Sequence, residues 1–90
     1  MKLYSRREQY EALRRLILST GVGLVARVRD GEAMPLLGDL LVRLQEDFIG
    51  DIGHDCLLLT RREIDACILR YFIAAPQPGF RELARYYLHV

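Results

Sequence analysis

The chain has 90 residues, enough for one domain, of which 51% are apolar and 28% charged. Its formal net charge of +1 excludes a bulk electrostatic pull toward nucleic acid or an anionic membrane. Two cysteines are too few for a disulfide framework, so thiols in a reducing, cytoplasmic compartment are expected.

The charge is unevenly spread. Residues 1–29 carry a balance of +5, residues 30–55 one of −6, and residues 56–90 one of +2. Twelve of the 13 basic residues are arginine, the side chain suited to planar, bidentate contacts at interfaces. A domain of this size buries only roughly 60–65% of its extended-chain surface. So rich an apolar supply in so short a chain predicts that some apolar surface is kept for a partner, and a homo-oligomer, a dimer, is expected.

Taken in order, Met1–Tyr4 reads as an extended lead-in. Ser5-Arg6-Arg7-Glu8 has the spacing of a capping box and opens a helix through Tyr10, Leu13, Leu16 and Ile17. Glu11 and Arg15 are oriented for a favourable i,i+4 pair. Arg14-Arg15 before an apolar run has the form of an export signal. Glu8 and Glu11 would then occupy its basic leader, and Arg27 and Arg29 follow without a small-residue cleavage site. The run of about eleven residues is also too short to span a bilayer.

Residues 22–37 have two readings. Gly21 could cap the first helix, with Val22–Arg29 a strand turning at Asp30-Gly31, which gives a short β-hairpin. Alternatively the helix continues through Gly21 and Gly23 with a break near them, at a cost of about 2 kcal/mol relative to alanine. Pro35 disfavours a hairpin partner strand, so the interrupted helix is the preferred reading.

Pro35 suits the first turn of the next helix, whose apolar face is Leu36, Leu37, Leu40, Leu41, Leu44 and Phe48. A loop with Gly50 and Gly53 leads to Thr60-Arg61-Arg62-Glu63, a second capping box almost copying the first. Leu59 and Ile64 stand at the positions of a hydrophobic staple. Ile64, Cys67, Ile68, Tyr71, Phe72 and Ala75 then line one helical face. Pro76 and Pro78 stop this helix. A last helix from about Pro78 presents Phe80, Leu83, Ala84 and Tyr87 inward, with Arg81, Arg85 and Tyr86 off that stripe. The fold expected is mainly α, a bundle of about four helices in one domain.

His54, Cys56, Cys67 and His89 are metal-ligand types, but their spacing is not that of a zinc finger. His54-Asp55-Cys56 is too compressed in sequence for triad geometry. Gly21-x-Gly23 lacks the third glycine of a dinucleotide fingerprint and the lysine of a P-loop. No enzyme, cofactor or metal site is therefore expected.

Two surfaces remain. Arg6, Arg7, Arg14 and Arg15 recur at seven- to eight-residue spacing, which predicts a basic ridge along the first helix. Arg81, Arg85 and Tyr86 would form the outer face of the last helix. The function expected is that of a small cytoplasmic, non-enzymatic regulator or inhibitor acting through protein–protein contact. The alternative is a DNA-binding transcriptional regulator that uses the C-terminal helix pair as a helix-turn-helix. Its turn is longer than usual and its net charge lacks the electrostatic footprint.

Overall fold

The computed structural model describes residues 4–88, an all-helical domain of four helices with no strand among them. All but Tyr4 of the N-terminal lead-in, and His89, lie outside these residues.

Helix α1 (Arg6–Arg29) is the long axis of the molecule. Its 24 residues span about 36 Å at 1.5 Å each, in a domain 42 Å long and 22 by 19 Å across. The first capping box forms as expected. Ser5 Oγ accepts from the Glu8 amide at 3.1 Å, and the Ser5 amide donates to Glu8 Oε1 at 3.1 Å.

The hairpin does not form, and the helix is not broken at Gly21–Gly23. The true stop is Asp30-Gly31. Gly31 adopts φ 69°, its amide donates to Val28 O at 3.2 Å, and the Glu32 amide donates to Arg27 O at 2.9 Å. This is a Schellman cap, a helix ending rather than a strand turn. Gly21 is buried in mid-helix because the Phe80 ring occupies the space where a β-carbon would stand, with Phe72 Cε1 at 3.1 Å from the same point. Gly23, two residues on, is exposed and faces open space.

Helix α2 (Leu37–Ile52) packs Leu40, Leu44, Phe48 and Ile49 into the core. Leu36, expected on that face, instead stands outside the helix as its N-cap and is 73% exposed. Gly53 ends α2 at φ 92°, and a 3-10 turn at His54–Cys56 leads into an extended stretch. Leu59 on that stretch and Ile64 beyond the cap are both buried, as a staple requires.

Helix α3 (Arg61–Leu69) opens on the second capping box, Thr60 with Glu63. It then widens into a π-turn, Arg70–Ala74, closed by the Ala75 amide donating to Arg70 O at 3.0 Å. Pro76 has no amide proton to continue the ladder. Gly79 turns the chain at φ 95° into helix α4 (Arg81–Leu88). The Phe80 carbonyl accepts from the Leu83 and Ala84 amides at the start of α4. Phe80 also meets Phe72 edge-on, with ring centroids 5.8 Å apart, so α4, the π-turn and α1 converge at Gly21.

The two glycines of α1 should respond oppositely to alanine. Gly23→Ala is expected to raise unfolding free energy by about 0.5–1 kcal/mol, the propensity gain at an open helical site. Gly21→Ala is expected to lower it by about 1–3 kcal/mol, because Phe80 must move. Urea unfolding midpoints of the two variants give the comparison.

Candidate functional site: a groove beside the π-turn

A groove of ≈ 580 Å³ lies between α1 and the α3–π-turn segment. Tyr10 lines it from α1, and Glu63, Ala66, Cys67, Arg70, Tyr71 and Ala75 line it from the opposite wall. Its far wall ends in the π-turn, a rare backbone form that is frequent at functional sites.

Glu63 anchors one end. It is the second capping-box glutamate, so its Oε1 accepts from the Thr60 amide at 3.1 Å. Its Oε2 accepts from Arg6 at 2.5 Å and from the Tyr10 hydroxyl at 2.9 Å. The Arg6 guanidinium also lies 5.8 Å from the centre of the Tyr10 ring, in cation–π range. The Arg6 guanidinium, the Thr60 amide and the Tyr10 hydroxyl together hold the Glu63 carboxyl down to about 2, from an ordinary 4.5. The same hydrogen bonds raise the Arg6 and Tyr10 pKa values, because each stabilises a protonated donor against a carboxylate.

Beyond Glu63 the groove is open. Arg70 is exposed and has neither an ion pair nor a hydrogen bond from its side chain among the described residues. Tyr71 is half-buried, and its hydroxyl has no partner among the described residues. Burial pushes the Cys67 thiol up, which Arg70 partly offsets. A thiol above its ordinary range is poorly nucleophilic at neutral pH, so Cys67 serves as groove wall.

The arginines expected to form one ridge on α1 are divided. Arg6 turns inward to Glu63 and to the Leu58 carbonyl at 3.1 Å. Arg7 pairs with Glu11 at 3.4 Å on the helix surface. Arg14 and Arg15 are exposed, but adjacent helical residues point about 100° apart, so only Arg7 and Arg14 share a line. Arg81, Arg85 and Tyr86 are exposed on α4. Arg85 and Tyr86 border a second, shallower cavity of ≈ 310 Å³ with Val28 and Glu82, and Glu82 is held by Arg29 at 2.7 Å. The two sets sit near opposite ends of α1 and do not form one surface: Arg14 and Arg29 are roughly 22 Å apart along its axis.

Among the described residues no group of three His, Cys, Asp or Glu side chains could hold a metal ion, and no helix is long and apolar enough to cross a membrane. The two cysteines are half-buried and form no disulfide. No family model, curated protein or solved structure matches the chain.

Sequence reasoning placed Tyr10 and Cys67 on packing faces and did not single out Arg70. The available signal was the duplicated capping box, whose second glutamate has a spare oxygen for a cross-helix partner.

Acid should weaken the fold through Glu63. Its pKa is lower folded than unfolded, so its contribution is complete above about 4.5 and is lost as pH falls from there toward 2. Glu82, also lowered by its Arg29 hydrogen bond, acts in the same direction. Urea unfolding from pH 7 down to pH 2.5 should therefore show falling stability, and Glu63→Gln should flatten that slope while lowering stability at pH 7. An unchanged slope in the variant would remove Glu63 as the source.

Proposed function

We propose that this protein is a small, non-enzymatic regulator or inhibitor that acts by occupying the surface of another protein, in the cytoplasm and as a homo-oligomer. The groove carries this reading: an open concavity with an apolar lining and a cation whose side chain has no ion-pair or hydrogen-bond partner. Exposed apolar side chains support it further, with Val22 at 66% and Leu88 at 53% joining Leu36. Association covers such side chains, and a chain this short gains most from sharing them. The charge blocks have a use in the same reading, because separated acidic and basic faces steer encounter with a complementary surface.

A DNA-binding regulator is the second reading. Arg81 and Arg85 stand one turn apart on the exposed side of α4, as phosphate contacts would. The connection from Ala75 to Phe80 is long for a helix-turn-helix, and the Glu82 carboxylate beside Arg85 repels phosphate.

Affinity capture of the tagged protein from its native host, read for co-purifying protein and for nucleic acid, separates the two. The protein-binding reading expects a stoichiometric protein partner. Nucleic acid retained without protein, and lost with Arg81→Ala plus Arg85→Ala, would replace it by the second reading. Light scattering that finds only monomer at working concentration would remove the homo-oligomer.

A further inference from the structure

The groove beside the π-turn has a chemical bias that its volume alone does not convey. Its one carboxylate, Glu63, is spent: both oxygens are engaged, by the Thr60 amide, the Arg6 guanidinium and the Tyr10 hydroxyl. What remains unengaged is donor capacity. Arg70 offers a guanidinium with five N–H groups and no partner among the described residues, and the Tyr71 hydroxyl is likewise unpaired. Between them and Tyr10 the walls are tyrosine faces, Ala66, Ala75 and the protonated Cys67 thiol. Such a surface favours an apolar, preferably aromatic body that carries an acceptor anion at the Arg70 end.

The occupant can be narrowed further. A volume of ≈ 580 Å³ lies within the ordinary range for ligand sites, but the groove is open along one side rather than closed over. An open groove leaves one flank of its occupant in water, which suits a chain segment that continues beyond it. At the opposite end Glu63 and its donors satisfy one another and offer nothing to a second anion, so one carboxylate at the Arg70 end is the complementary pattern.

The geometry points to a binding site for a short segment of a protein partner in which an aromatic side chain stands beside a carboxylate. The ring lies between Tyr10 and Tyr71, and the carboxylate pairs with Arg70. This inference rests on the protein-binding reading above and gives that partner its chemistry. Arg70 is well placed for the task because a planar guanidinium takes a carboxylate bidentately, which a lysine ammonium does not. The π-turn contributes by letting Arg70 and Tyr71, adjacent in sequence, both border the same concavity.

The test is an amide-resolved NMR titration of the intact protein with three probes. The first is an acetylated, amidated hexapeptide of serine and alanine that carries one phenylalanine followed by one glutamate; the second is the same peptide with glutamine for glutamate; the third is N-acetylphenylalanine. The glutamate peptide should shift the amides of residues 66–75 and of Tyr10, and should bind about tenfold more tightly than the glutamine peptide, as one charge-assisted contact gives. Arg70→Gln should erase that preference, and Arg70→Lys should keep part of it; Arg70 is exposed, so both variants fold. Equal binding of the two peptides, or shifts elsewhere on the domain, would overturn the site. N-acetylphenylalanine binding where the peptide does not would overturn the protein segment in favour of a small anion. A partner captured as well by Arg70→Gln as by the natural protein would sink the groove and leave the protein-binding reading standing. Peptide binding with no captured protein would do the reverse.

Discussion

The close approach of Phe80 to the backbone of α1 at Gly21 is the constraint on which this fold depends. An aromatic ring can lie against a helix backbone only where a side chain is missing. At that point α1 receives both Phe80, which opens α4, and Phe72, which belongs to the π-turn. The C-terminal third of the chain is therefore registered on the N-terminal helix by one absent methyl group. The polar ties to α4 are peripheral by comparison: an exposed Arg29–Glu82 pair, and the Tyr87 hydroxyl donating to Pro35 O at 2.8 Å. Exposed pairs of that kind add little, whereas two buried rings contribute both area and geometry.

At the opposite end the α1–α3 contact is polar and centres on Glu63. Each helix brings a capping box. Glu63 of the second box stands where Arg6 and Tyr10 of α1 reach it. A local motif for starting a helix has thus become the joint between two helices. The groove lies between this polar joint and the aromatic anchor, and the π-turn forms its wall on the way from one to the other.

The parts of the fold decided by short-range chemistry were legible. Both capping boxes, the staple of Leu59 and Ile64, the stop at Pro76 and the inward stripe of α4 follow from spacings of three or four residues. The stretch around residues 21–31 was not legible, because glycine has several uses that look alike in sequence. Gly21 makes room for a ring from a distant segment, Gly23 does neither that nor any turning, and Gly31 is the helix stop. Only the position of Phe80 separates the first two. The same limit applies to the arginines. Periodicity placed Arg6 with Arg7, Arg14 and Arg15, but Arg6 is drawn inward by a carboxylate on another helix. The groove was not legible: Tyr10 and Cys67 read as packing positions, Arg70 carried no signal, and the π-turn along its wall has no periodic signature.

The fully buried Gln9 has a role that resembles a piece of sheet. Its side-chain amide donates to Cys56 O at 2.8 Å and accepts from the Leu58 amide at 2.9 Å, while Arg6 donates to Leu58 O. Three successive backbone groups on one side of the extended stretch are thereby engaged by side chains in the way a neighbouring strand would engage them. An extended segment carrying Leu57, Leu58 and Leu59 in a row, with its backbone unpaired, would be a template for adding strands from other copies. By occupying those positions from a helix, Gln9 and Arg6 close that edge of the stretch to strand addition. A side chain on a helix can thus stand in for the neighbouring strand that a β-like segment lacks.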